Sequence, residues 1–319
     1  MTPTRAVARR GASLAQAFMT CNPCLKIFPK VSKVLSIDVK YQPAQMLIYL
    51  VQVGICIFSA QTPQGSPHQR RRAVALAKRD LSSSSRLGKP LIVLLPGTDG
   101  TGLFFDALVA ALAPCCETRV VSYPQSGPQS YEALGRLVLA QLPAEGDYVL
   151  IGESFGGPLA LWLATHATHK PRAVILGASF AASPFGWVGR VAERLLWLGE
   201  ILPLYRWQIA LFLFNGGQAT EARRVFEATR HLPRRVLIDR VRAVLICDML
   251  AVLPNIQIPV LCLNAGRDRL LPPFLPRHFD GFSKAVVVSV DLPHMIFQCD
   301  AKGLTERHIL PFLRDHNVI

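Results

Sequence analysis

The chain has 319 residues, half of them apolar and 18% charged, which is enough to bury a large core in one α/β domain with an insertion or in two modest domains. The net charge of +14 is uneven: residues 1–90 hold 14 Lys+Arg against 2 Asp+Glu, while the other 229 hold 21 against 19. A nearly balanced body excludes a basic nucleic-acid-binding surface, so no nucleic-acid partner is expected.

The N-terminal segment, 1–89, reads as a leader or a disordered tail. "TPTRAVARRGASLAQAF" is basic and acid-free, and "QTPQGSPHQRRRAVALAKRDLSSSSRLGK" is a Pro/Ser/Arg stretch. Between them, Met46 to Phe58 is an apolar run broken by Gln52 and Gly54. A membrane-spanning helix needs about 18–20 apolar residues, so this run is short for a span, although it could still hold the chain at a membrane. Cys21-Asn22-Pro23-Cys24 is a lone C-x-x-C without a second pair, and no metal or redox role is expected of it. The other cysteines (56, 115, 116, 247, 262 and 299) have no disulfide-framework spacing, so a reducing compartment, the cytoplasm, is the expected location.

From residue 90 the pattern becomes regular. "LIVLLPG" (91–97), "TRVVSYP" (118–124), "DYVLIGE" (147–153), "RAVILGASF" (172–180), "PVLCLNAG" (259–266) and "KAVVVSVDLPH" (284–294) are apolar runs that predict strands buried on both faces of a parallel sheet. Helices are predicted at about 103–113, 130–141, 155–168, 272–280 and 301–314. The alternation calls for a mostly parallel sheet with helices on both faces. Residues 183–255 break it with four helix-like segments (187–201, 204–214, 219–230 and 234–252). The expected organisation is a core of 90–182 and 256–319 with 183–255 inserted as a helical cap over the sheet's C-terminal edge, where such sheets bind ligands.

"DYVLIGESFGGPLALWLATH" places Gly152-Glu153-Ser154-Phe155-Gly156, a G-x-S-x-G, between a predicted strand and a predicted helix. Such a turn holds a serine hydroxyl above the sheet and leaves no room for side chains at Gly152 and Gly156. A lone match is common, and Ser154 could be an ordinary turn residue; partners decide. Asp268 follows the strand at 259–266 and His294 follows the last one. The two would complete a nucleophile–base–acid relay, in which His294 takes the Ser154 proton and Asp268 fixes the imidazole tautomer. Asp248 is the main rival acid. His166, His169, His231, His278 and His308 lie in less favourable places, and Asp291 is too close to His294 along the strand to reach its ring. Two backbone N–H groups must then meet the developing oxyanion. Phe155 supplies one, and Thr98, in "LPGTDGTG", is the candidate for the other. No metal ligands cluster and no cofactor is expected. The glycine-rich loop matches no phosphate-binding fingerprint.

Gly152–Gly156, Asp268 and His294 in that order, with the strand and loop at 91–102, resemble the α/β-hydrolase superfamily over about 90–315. "LPGTDGTG" followed by "GESFGG" resembles the hydrolase domain of plastid phytyl ester synthase and diacylglycerol acyltransferase-like proteins and their small bacterial relatives. The resemblance implies an α/β-hydrolase fold and a serine esterase, lipase or thioesterase without cofactor. It does not extend to the acyltransferase motif H-x-x-x-x-D, since no His here has an Asp five residues on. The initial strand hairpin usual in the superfamily has no counterpart in the polar stretch 60–90.

"WVGRVAERLLWLGEILPLYRWQIALFLF" makes the cap apolar on more than one face. It could line a tunnel for an acyl chain, touch membrane lipid, or merely pack on the sheet. The expected substrate is a small acyl ester or thioester with an apolar chain. An acyltransferase using the same three residues, and a non-catalytic binding protein of this fold, are the alternatives. The sequence leaves the oligomeric state open.

Overall fold

A computed structural model of the chain describes residues 89–194, Leu196 and 206–319. Cys21, Cys24 and the apolar run at 46–58 lie outside the described residues. Six strands form one sheet: β1 (Leu91–Leu95), β2 (Glu117–Val120), β3 (Tyr148–Glu153), β4 (Ala173–Gly177), β5 (Val260–Ala265) and β6 (Ala285–Val290). Their order is β2-β1-β3-β4-β5-β6, and every pairing is parallel. All six predicted strands are present. The chain reverses direction of growth once, between β2 and β3, so the C-terminal ends of β1 and β3 lie side by side at the sheet's centre, with Leu95 opposite Gly152.

Alternate residues along each central strand serve opposite faces. Val93, Leu95, Leu150, Val174 and Cys262 pack against α2 (Tyr131–Leu139) and α3 (Gly156–His166). Ile92, Leu94, Val149, Ile151, Ile175 and Leu261 pack against α1 (Asp106–Leu112), α8 (Ile296–Leu304) and α9 (Leu310–Asp315). With both faces covered, β1 and β4 are apolar throughout and β3 is apolar as far as Glu153, as expected of a parallel sheet.

Burial on both faces does not extend to the outer strands. β2 is mostly exposed, and Val286 and Val287 of β6 are 48% and 41% exposed. Among the described residues each is an edge strand with a neighbour on one side only. Two predicted helices also differ. Residues 272–280 form only a short 3₁₀ turn, Leu275–Phe279, because Pro272, Pro273 and Pro276 each remove a backbone donor. The last helix begins earlier than expected, at Ile296, and relaxes into a π turn, Thr305–Ile309, before Pro311.

Between β4 and β5 the chain makes α4 (Gly186–Arg194), α5 (Arg206–Phe214), α6 (Ala219–Thr229) and α7 (Arg234–Leu245). The insertion leaves and re-enters the body at one neck, where Ala182 pairs antiparallel with Asp248. Ser183 N–H donates to Cys247 O at 2.8 Å, and Met249 N–H to Ala181 O at 2.7 Å. Ile209 and Phe214 of α5, with Ala222 and Val225 of α6, pack on Phe104 and Met295 of the body. Arg224 of α6 donates to Asp106 Oδ2 at 2.7 Å.

Leu94 is fully buried between the sheet and the α1/α8 layer. Leu94→Ala is expected to destabilise the fold by about 3 kcal/mol, the usual cost of a cavity at such a site. Urea unfolding followed by circular dichroism measures it.

Candidate active site

β3 passes into α3 with only Ser154 and Phe155 between them. Ser154 has φ +50°, in the left-handed region that side chains avoid. Three contacts hold it there. Its N–H donates to Gly177 O at 2.9 Å, and its carbonyl accepts from Gly157 N–H at 3.0 Å and from Ser179 Oγ at 2.7 Å. The glycines on either side are required by space. A methyl group on Gly152 would strike the backbone of Gly156, and one on Gly156 would strike the carbonyl of Leu95 on β1. The turn is therefore wedged between two strands, and the serine hydroxyl is directed off the sheet's C-terminal edge.

Asp268 lies three residues beyond β5. Its Oδ1 accepts the N–H groups of Leu270 and Leu271 at 2.7 and 2.9 Å, which leaves Oδ2 facing His294 Nδ1 at 2.7 Å. His294 Nε2 lies 3.0 Å from Ser154 Oγ. A carboxylate only accepts, so it holds the ring proton on Nδ1 and turns the Nε2 lone pair toward the serine. Both partners are sequestered, with the His294 and Asp268 side chains 2% and 8% exposed. Burial alone would lower the His294 pKa. The charge and hydrogen bond of Asp268, aided by the charge of Glu153, outweigh it, and the net direction is upward.

The rival residues are engaged elsewhere. Asp248 is exposed at the neck and accepts from Leu250 N–H at 3.1 Å. Asp291 pairs with Arg267 at 2.9 Å on the surface. His166 Nδ1 faces Trp162 O, His169 Nε2 faces Gly146 O before β3, and His278 accepts from Ala182 N–H. His231 and His308 make no contact with the Ser154 group.

The loop after β1 borders the serine: a methyl placed on Gly97 would lie 3.9 Å from Ser154 Cβ. No backbone hydrogen bond among the described residues engages the N–H of Thr98 or of Phe155. Among the described residues no group of three His, Cys, Asp or Glu could hold a metal ion. No helix among them is long and apolar enough to cross a membrane.

Three side chains around this site had no weight in the sequence reading. Glu153, the variable residue of the G-x-S-x-G, is 3% exposed. Gln298 Nε2 donates to its Oε2 at 3.0 Å, and its Oε1 is buried without a partner. Burial pushes the carboxyl up to about 7, against the smaller opposing effects of Gln298 and His294. Arg240 of α7 is fully buried beneath the loop after β1. Only Glu153 had a signal available, its place in the motif; Gln298 and Arg240 are brought in from segments with no recognisable pattern. A cavity of about 190 Å³ adjoins Asp268, bounded by Ser179, Asn264, Leu271, Pro272 and Ser289, and no described residue of the insertion lines it.

Residues 92–318 match the Alpha/beta hydrolase family. A pimeloyl-[acyl-carrier protein] methyl ester esterase of Neisseria meningitidis is 27% identical over 220 residues, covering 62% of this chain and 84% of that protein. Among solved structures, the enol-lactonase of Burkholderia xenovorans superposes with a TM-score of 0.59 at 20% identity, over 73% of this chain and 94% of its own. A hydrolase from Oleispira antarctica superposes with 0.61 at 14% identity, over 72% and 92%. These two likenesses concern the fold. With more than two thirds of its length matched, including all six strands from the second residue of β1 onward, the chain belongs to the Alpha/beta hydrolase family.

Proposed function

We propose that the protein is a serine hydrolase that cleaves a small carboxylic ester through an acyl-serine intermediate. The observation that carries the reading is the continuous relay from Asp268 through His294 to Ser154, at 2.7 and 3.0 Å. The Ser154 oxygen attacks the acyl carbon while its proton passes to His294 Nε2. The carbonyl electrons move onto oxygen, and the N–H groups of Thr98 and Phe155 meet the charge. Collapse expels the alcohol, which takes the proton from the imidazolium. Water then attacks the acyl-serine by the same path in reverse. Asp268 holds the ring in place and stabilises the imidazolium each time it forms.

An oxygen ester is the preferred substrate. The Neisseria relative is named for a methyl ester, an acyl–oxygen bond. An apolar acyl chain is compatible with the insertion, which we read as a cap. Part of the cap's apolar character is already used in packing, since Ile209 and Phe214 are buried against the body.

Ser154→Ala is expected to lower p-nitrophenyl butyrate hydrolysis by at least about 10³-fold while the melting temperature stays close to the parent's. Persistent turnover, or a fluorophosphonate probe that fails to label Ser154 in the parent, rejects the proposal. Asp268→Asn is expected to cost about 10⁴-fold in kcat through the wrong tautomer; near-normal rates would assign the acid role elsewhere. If alcohols divert the acyl group at the expense of hydrolysis, the enzyme is a transferase using the same intermediate.

Glu153 makes a separate, pH-dependent contribution. Its carboxyl titrates near 7 when folded and near 4.5 when unfolded. Between those values the folded chain keeps a proton that the unfolded chain has lost, so stability falls as pH rises through this window, by about 3 kcal/mol at most. Glu153→Gln is permanently neutral and should lack that decline. Its melting temperature relative to the parent is expected to rise between pH 5 and pH 8; a constant difference would show that Glu153 does not hold the proton.

A further inference from the structure

We propose that Arg240, on α7 of the insertion, is a positioning residue that aims the Thr98 N–H at the reacting carbonyl oxygen. Arg240 is the largest side chain among the described residues with no exposed surface. Its guanidinium makes four hydrogen bonds to three separate segments: Nη1 to the carbonyls of Thr98 and Asp99 at 2.9 and 2.7 Å, Nη2 to Pro124 O at 3.0 Å, and Nε to Gln129 Oε1 at 2.9 Å. The plane sits over the Tyr123 ring, 5.5 Å from its centroid. Among the described residues no carboxylate hydrogen-bonds to it, and the Asp99 carboxylate is turned to Thr101 instead. A buried cation is thus held by carbonyl dipoles, a costly arrangement unless every donor is placed.

What this arrangement controls follows from peptide geometry. In a trans peptide the C=O and the N–H point in opposite directions. Arg240 fixes the Asp99 carbonyl and so turns the Gly100 N–H, which donates to Gly97 O at 3.0 Å. That bond fixes the Gly97 carbonyl and so turns the Thr98 N–H the other way. Tyr123 secures both ends of the loop: its hydroxyl donates to Pro96 O at 3.0 Å, and its N–H donates to Gly100 O at 2.8 Å. The glycine at 100 is part of the device, since a methyl group there would strike the guanidinium. The loop beside Ser154 therefore takes its orientation from the insertion, and a shift of α7 would turn the donor away. The inference deepens the serine-hydrolase reading and rests on it for its kinetic consequence.

The test combines kinetics with amide hydrogen exchange on the full chain. In Arg240→Met, which keeps the apolar stem, exchange at residues 97–102 is expected to accelerate by about tenfold or more while the β3 amides keep their protection. Its kcat on p-nitrophenyl butyrate is expected to fall by about 10- to 100-fold with KM within about twofold, less than the loss of a whole oxyanion donor. Arg240→Lys keeps the charge but not the fork, and should lie between. Unchanged exchange in the loop overturns the clamp. Faster loop exchange with unchanged kcat overturns the role in aiming Thr98. If β3 loses protection in the Met variant, the Lys variant is read alone, and its indistinguishability from the parent in both measurements overturns the proposal. A parent without esterase activity would defeat the hydrolase reading, and the exchange data alone would then decide whether Arg240 clamps the loop.

Discussion

Everything at this site depends on one backbone residue held where side chains are disfavoured. Ser154 keeps its positive φ because β1, β3 and α3 approach so closely at Gly152 and Gly156 that the chain can turn in only one way. Three hydrogen bonds to its N–H and carbonyl offset the strain, which is of order 1–3 kcal/mol at such a residue. The serine hydroxyl is a by-product of that geometry: once the turn is fixed, its oxygen must lie above the sheet edge.

The rest of the sheet supplies partners to that point. Parallel strands end at the same edge, so residues just past β1, β3 and β5, and soon after β6, converge although they are distant in sequence. Asp268 and His294 are 26 residues apart and share a 2.7 Å contact; His294 and Ser154 are 140 apart and share one of 3.0 Å. The two buried layers beneath, α2 with α3 and α1 with α8 and α9, keep the strands from sliding past one another. The local electrostatics raise the His294 pKa against the opposing effect of burial, chiefly through the charge and hydrogen bond of Asp268.

Much of this was legible in the amino-acid sequence, for physical reasons. β-branched apolar runs bounded by Pro, Gly and charged residues mark the strands because a strand buried on both faces has few positions that tolerate a polar side chain. The Ser154, Asp268 and His294 positions were legible because each closes such a run. The edges were not. β6 is as apolar as a central strand, and nothing in "AVVVSV" says that one flank meets no neighbour. The stretch 272–280 lies where the alternation of strands calls for a helix, but its three prolines remove backbone donors, and they outweighed the pattern. Arg240 was illegible for a deeper reason. An arginine on an amphipathic helix normally points to water, and only the packed arrangement of Thr98, Asp99, Pro124 and Gln129 turns it inward.

The paired neck at Ala182 and Asp248 makes the intervening helices a cassette. Because the chain returns to within a hydrogen bond of where it departed, lengthening, shortening or replacing what lies between need not disturb the register of β4 against β5. The insertion can thus vary while Ser154, Asp268 and His294 keep their places. The freedom has one restriction, since any replacement must still provide a cation, or some other donor, to the carbonyls that α7 now serves.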